Sequence, residues 1–440
     1  MPLNGFAYIS ELFGKPEFSV EMLSDLYTKM PVTGTDELQR ISNAFIPIAT
    51  GQYGNAQLIM DLVHGKMSNY AGGEIGATSL PGLDYIRFNE ELEVAEQVVF
   101  GKKDLEETNK LIENLKLNSW VGKIAAANAV LRRRFVNYHA DMVRQFVNKN
   151  TFSVDDMGRI ISASGVYGDA TRSKYHLDLN DSPATHFTDV RDLTGDYAFD
   201  LGASSFLWGQ ENANPIDNLR QLVTYITEVL MREPVRIYIP QILLDKMGKA
   251  SEIISLINRH SYDRLAERNA TENIATLISL DYETTSQMYT FATSTTSAIT
   301  AGATTTFTVA DPNGIEEGDY IIIESLNHVD SYDAQVSDVT TNTVTIPALN
   351  GGDTIPVGSR VTTKKPIIDK NKIVVELADK STQWLAKPNV WAGSMENPGL
   401  GYFSKVGISS DERKPEAYAM AGFKGNLQVH LPNFVTLKVK

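Results

Sequence analysis

Between Arg268 and Arg360 the chain contains neither lysine nor arginine. Thr and Ser crowd the stretch from Tyr289 to Thr308, and Val, Ile and Thr then alternate around acidic and glycine turns: TTTFTVADPNGIEEGDYIIIES, YDAQVSDVTTNTVTI and GGDTIPVGSRVTT. Period-two apolar spacing broken by Pro-Asn-Gly, Glu-Gly-Asp and Gly-Gly-Asp steps is the pattern of short strands joined by tight turns. A stretch of roughly 75 residues is long enough to fold alone. Different textures lie on both sides, so the simplest layout is a small all-β domain, 289–365, inserted into a larger α+β parent.

The parent begins with a loop-rich hundred residues. Gly51, Gly54, Gly72, Gly73, Gly76 and Pro81-Gly82 interrupt them, and Asp84 to Phe88 alternates like a strand. Tyr70 to Phe100 reads as an excursion away from any core. Next comes the longest helical pattern. Asp104 to Lys116 carries Leu105, Ile112 and Leu115 behind an acidic first turn, which suits the helix dipole. Trp120 to Val147 continues it with Ile124, Ala127, Val130, Leu131, Phe135, Tyr138, Met142, Phe146 and Val147. Steps of three and four mark one buried stripe. Arg132, Arg133 and Arg134 read as a solvated face, with contact to phosphate or an acidic neighbour as the alternative.

Beyond Asp155 the strand candidates are Ile160 to Ser162 and Lys174 to Leu179. SFLWGQENANPIDNL, Ser205 to Leu219, then opens a helix: Asn214 suits the N-cap, Pro215 the first helical position and Asp217 the first turn. Apolar residues recur at helical spacing to about Met231. Val235 to Ile239 reads as a strand closed by Pro240, followed by short helices Gln241 to Met247 and Ser251 to Ile257. After the β-rich stretch, Lys372 to Leu377, Asn426 to Leu431 and Phe434 to Val439 resume strand texture.

Little catalytic chemistry is legible. The 440-residue chain has no cysteine, which excludes disulfides, thiolate zinc sites and cysteine nucleophiles. Its net charge of −14 disfavours a broad grip on a nucleic-acid backbone. The N-terminus shows no signal-peptide pattern, and no run approaches the roughly 20 apolar residues that cross a bilayer. The seven histidines lack metal-site spacing, and no phosphate loop or nucleophile elbow is present. Asp311, Asn313, Glu316, Glu317 and Asp319 gather oxygens in one turn, but Gly314 and Gly318 miss the calcium-loop register. The expectation is therefore no catalytic, cofactor-binding or metal residue, and no cofactor.

The order of segments resembles the major capsid proteins of tailed bacteriophages, the lambda-like capsid E family with the Hong Kong 97-type fold. The residues that carry the resemblance are Phe206-Leu207-Trp208, Asn214 to Leu219, Arg236 to Met247, Val390 to Gly393, Lys414 to Tyr418 and Leu437 to Val439. It spans Met1 to Thr290 and Lys364 to Lys440. It implies an N-terminal arm over 1–55, an extended loop over 56–103, a peripheral domain with a long spine helix over 104–155 and an axial domain over 156–288. The all-β insert follows, and 366–440 returns to the axial and peripheral domains. Trp208 is then a packing residue.

By the same resemblance the protein is not an enzyme. It assembles with itself, as hexamers and pentamers, into an icosahedral shell around double-stranded DNA held without sequence specificity. Scaffolding, portal and decoration proteins are the implied partners, and no membrane is. The implied location is the virion, after assembly in the host cytoplasm. Two other readings stay open: an encapsulin-like shell, and an enzyme with a β-rich carbohydrate-binding module, suggested by the Thr-rich insert and by Trp384 and Trp391. Three physical expectations follow. The insert projects from the shell. Phe135 lies in a core. Phe6 to Leu23 and Tyr70 to Phe100 lack a local core of their own.

Overall fold

The computed structural model describes residues 13–29, 36–49, 92–100, 113–149, 153–154, 160–161, 176–178, 208, 211, 213–260, 280–285, 288–300, 304–312, 314–325, 331–347, 354–378, 380, 383–389, 399–408, 417–428 and 433–439. Its longest element is a 37-residue helix, Glu113–Lys149. The two expected helical segments are thus one. Leu117, Asn118 and Ser119 do not interrupt it, since none of them breaks a helix as Pro does. Residues 104–112 lie outside the described residues. Trp120, Ile124, Ala127, Leu131 and Phe135 form the buried stripe. Val130 does not join it and is 46% exposed: it follows Ala127 by three residues but precedes Leu131 by one, which turns it off the stripe. From His139 to Asn148 every residue is buried.

The chain divides into two compact units, one of 1–30, 46–131 and 381–432, the other of 31–45, 132–380 and 433–440. In the first, the twelve-residue strand Ala417–Gln428 is central. It pairs antiparallel with Leu92–Phe100, Tyr402–Ile408 and Gln383–Ala386, and Ile48–Ala49 adds a parallel edge. Ala417, Ala419 and Ala421 point to one face at period two, and all are buried. Small side chains there leave room for Trp120 and Ile124. Gly422 is required where the strands approach closely: a Cβ there would sit 2.1 Å from the Val94 carbonyl.

Two expectations fail in this unit. Phe18 and Leu23 do have a core within their own chain: they pack with Phe100, Trp120, Ile124, Ala127, Ala417 and Ala419, while Phe13 meets Trp120 edge-on at 5.6 Å, and residues 6–12 lie outside the described residues. The helix Val20–Lys29 buries Leu23, Ser24 and Tyr27, so this part is neither loop-rich nor coreless. Aromatic burial of this kind outweighs the entropy of ordering the segment. Likewise Leu92–Phe100, the end of the expected excursion, is a nine-residue ladder partner of Ala417–Gln428. Residues 70–91, with the strand candidate at Asp84 to Phe88, lie outside the described residues.

The second unit holds a mixed five-stranded sheet in the order His176–Asp178, Phe434–Lys438, Lys372–Leu377, Pro234–Pro240, Asp281–Thr285. Its central strand, KIVVEL, buries all but one residue, as a strand covered on both faces does. The helices Asp36–Phe45, Pro215–Thr224, Gln241–Met247 and Ser251–His260 belong to this unit. The helix expected to reach Met231 is α-helical only to Thr224 and finishes as a π turn, Tyr225–Val229. Asn214 occupies the N-cap position, but its side chain makes no cap bond. The Glu252 carboxylate takes that role, accepting from the Ile216 amide at 3.1 Å.

Between Asp281–Thr285 and Lys372–Leu377 lie two antiparallel sheets whose described strands pair only among themselves. One has the order Ser331–Gln335, Tyr320–Glu324, Arg360–Pro366, Met288–Ser294; the other Asp338–Thr340, Thr343–Pro347, Thr304–Thr308. Phe291, Phe307, Ile321, Ile323, Val344, Ile346 and Val361 are buried there. Gly318 takes a positive φ of 88° in the Glu-Gly-Asp turn, which a residue with a Cβ adopts only with strain. The ends of this β-rich region meet, since Met288 pairs with Pro366.

Candidate functional site

Where polar chemistry does concentrate is one face of the long helix. Asn137, Asp141, Arg144 and Asn148 follow at steps of four, three and four, the spacing that aligns side chains on a helix. Each meets the β-rich region or the segment just after it. The Asn137 side-chain oxygen Oδ1 accepts from the Thr290 amide at 3.4 Å, and Asp141 accepts from the Tyr289 hydroxyl. Asn148 donates to the Ile367 carbonyl at 3.1 Å and accepts from the Asp369 amide at 3.2 Å. The Asn148 carbonyl accepts from Lys372.

Arg144 is the centre. Its side chain is 3% exposed. It donates through Nε to the Pro366 carbonyl at 3.2 Å, and through Nη2 to Glu316 at 3.0 Å and Asp369 at 3.2 Å. The other oxygen of Glu316 lies 2.9 Å from Lys365 Nζ, which also meets Asp319 at 2.5 Å. Glu316 therefore bridges two buried cations, one on the helix and one on a strand, from a turn. A buried cation is tolerated only when paired and hydrogen-bonded, and this network meets that condition.

The same geometry orders the protonation states. Burial would lift the Glu316 carboxyl, but Arg144 and Lys365 outweigh it and hold it at about 2. Burial opposes the charge on Arg144, yet the Asp369 and Glu316 carboxylates leave its pKa above the ordinary arginine value. Burial first, then Asp141, pushes the Tyr289 phenol well above its usual range, so it acts as a neutral donor. The arrangement can fasten structural parts together.

The residues singled out from sequence fall elsewhere or serve packing. Trp208 is 3% exposed and donates from its indole to Asn218 at 3.0 Å, the packing role expected. Of the three arginines read as solvated, Arg133 is exposed but Arg132 is buried, its guanidinium over the Phe135 ring at 5.6 Å. The arginine stem covers apolar surface as readily as it reaches water. In the acidic turn, Glu316 and Asp319 engage Arg144 and Lys365 rather than converging as calcium ligands. Among the described residues no group of three His, Asp or Glu could hold a metal ion. Trp384 is fully buried and packs edge-on against Phe423 at 4.6 Å, so it is no exposed platform for a sugar. Trp391 lies outside the described residues. Sequence reading missed the seam, although its four-three-four polar spacing was present beside the apolar stripe.

No protein-family model matches the chain, and no curated protein matches it. Solved structures do. A phage-related protein of Bordetella bronchiseptica RB50 matches with 10% identity and a TM-score of 0.39, covering 96% of this chain and 97% of its own. A prophage protein of Escherichia coli CFT073, provisionally assigned as a capsid protein, matches with 10% identity and a TM-score of 0.37 over 99% of both chains. The capsid of the cyanophage P-SCSP1u matches with 10% identity and a TM-score of 0.33, covering 89% of this chain and 84% of that one. Phage capsid structures are thus what this chain is similar to, at low identity along most of its length.

Proposed function

We propose that the protein is the major capsid protein of a tailed bacteriophage, with the Hong Kong 97-type layout, and that it assembles into an icosahedral shell around double-stranded DNA. One observation carries the reading: the succession from Trp208 to His260. A buried Trp is followed by a helix starting at Pro215, the strand Pro234–Pro240 and the helices Gln241–Met247 and Ser251–His260. That is the order the capsid resemblance implies for an axial domain. The 37-residue helix fits a spine helix. Met22 and Leu26, one turn apart on the exposed side of Val20–Lys29, are apolar surface of the kind a neighbouring subunit covers.

In this reading the protein is structural rather than catalytic. The β-rich region 289–365 is an inserted domain that projects from the shell. A subunit of net charge −14 packs around DNA without adhering tightly to it. Scaffolding and portal proteins would act with it during assembly in the host cytoplasm. The test is size-exclusion chromatography and negative-stain electron microscopy of the purified chain, expressed alone and with a scaffolding partner encoded beside it. Capsomer rings or closed shells of uniform diameter are expected. A chain that stays a monomer or small oligomer under both conditions would overturn the reading, and shells packed with an enzyme cargo would move it to an encapsulin-like role.

A further inference from the structure

We propose that Arg144 is the catch of a latch that docks the β-rich region 288–366 onto the long helix, and that breaking it releases that region as an intact folded body. The inference rests on bonds within this chain and not on the capsid reading. Three observations lead to it. First, the described strands of the region pair only with one another, and apolar residues on both of its sheets, Phe291, Ile321, Ile323 and Val361 on one and Phe307, Val344 and Ile346 on the other, are buried. It needs no outside strand to complete a ladder. Second, chain enters and leaves at one place, because Met288 and Pro366 are ladder partners. A body attached at two adjacent points can swing without being pulled apart.

Third, the bonds that join it to the helix are polar, and Arg144 joins the most parts. That one guanidinium reaches the turn through Glu316, the end of the last strand through the Pro366 carbonyl, and the following segment through Asp369. Removing it leaves Glu316 and Asp319 still paired with Lys365 inside the β-rich region, and Asp369 still 3.9 Å from Lys372. Glu316, Asp319 and Asp369 thus keep a cationic partner and Asp141 keeps the Tyr289 hydroxyl, which limits the uncompensated charge that usually unfolds a protein when a buried pair is broken. Polar docking of this sort is directional. It has a docked arrangement and an undocked, hydrated one, with little in between, as a two-state element requires.

Hydrogen exchange of the full-length chain tests this, because two backbone amides report the docked state directly. The Thr290 amide faces Asn137 and the Asp369 amide faces Asn148. In Arg144→Met, exchange in the segments holding these amides should rise at least about tenfold. Exchange in Thr343–Pro347, inside the β-rich region, and in Lys372–Leu377, in the five-stranded sheet, should stay as in the unaltered protein. Arg133→Met, which removes an exposed arginine of the same helix, should change neither. Glu316→Gln, which keeps the Arg144 contacts to Pro366 and Asp369, should give a smaller rise at the same two places. Unchanged exchange at Thr290 and Asp369 in Arg144→Met would overturn the latch. Loss of protection in Thr343–Pro347 as well would overturn the claim that the region leaves intact.

Discussion

From Trp120 to Leu131 the long helix buries Trp120, Ile124, Ala127 and Leu131 and leaves Val121 and Val130 in solvent; from His139 to Asn148 it buries every residue, Asp141, Arg144, Gln145 and Asn148 among them. The first half has one polar exception, Asn128, which accepts from the Ser404 hydroxyl at 2.9 Å. Both halves are continuous helix, yet they hold their surroundings by different means. Apolar contact scales with area and tolerates small displacements. Buried ion pairs contribute little net stability after desolvation but demand one geometry. The first half therefore supplies cohesion, and the second adds orientation to the cohesion of its own buried Ala140, Met142, Val143, Phe146 and Val147.

Trp120→Ala offers the strongest way to break this contrast. It would empty a site lined by Phe13, Phe100 and Ile124 and should cost about 4 kcal/mol, read as a lowered urea midpoint of the first unit. A loss under about 1 kcal/mol would mean that cohesion comes from elsewhere. Phe135→Ala, at the junction of the halves and 5% exposed, should cost about 3 kcal/mol, because it opens a cavity and takes the ring from beneath the Arg132 guanidinium. Equal unfolding midpoints for the variant and its parent would show that the stripe does not extend that far.

Acid should separate the halves by mechanism. Glu316 faces Arg144 from the helix, Lys365 from the strand and Asp319 from its own turn, with Asp369 beyond Arg144. Its folded pKa lies below the unfolded value of about 4.3, so its stabilisation is fully present above that pH. It fades as pH falls from there through about 2. Protection near Thr290 and Asp369, measured relative to the intrinsic exchange rate at each pH, should fall over that window before the Trp120 cluster loosens. Simultaneous loosening of both would remove the distinction. The smallest effect belongs to Val130→Lys: exposed on the first half, it should shift stability by less than about 0.5 kcal/mol, and a larger loss would mean that this face is covered.

Much of the fold is legible in the amino-acid sequence. The β-rich region announces itself because strand alternation and turn glycines act within a few residues, and Gly318 sits where a positive φ is needed. The helix start at Pro215 is legible for the same reason. Val130 reads wrongly as part of the stripe because a three-residue step fits a helical stripe as well as a four-residue one. Phe18 and Leu23 look coreless in sequence because their partners, Trp120 and Ala417, lie about one hundred and four hundred residues further along. The seam is hard to see because Asn, Asp and Arg on a helix ordinarily face water.

The amino-acid sequence by itself determined the long helix, the helix start behind Asn214, the strand-and-turn character of 289–365 and the absence of cysteine chemistry. These follow from local propensity, periodicity and composition, which need no knowledge of distant chain. Tertiary structure alone decided that Glu252 rather than Asn214 caps the helix at Ile216, that Arg132 is buried, and that Arg144 meets Glu316 and Asp369. Those partners are separated by 172 and 225 residues. Many carboxylates in an acidic chain could pair with one arginine, and only the packed backbone selects the pair, because charge attracts at any separation while a hydrogen bond forms at one distance and one angle.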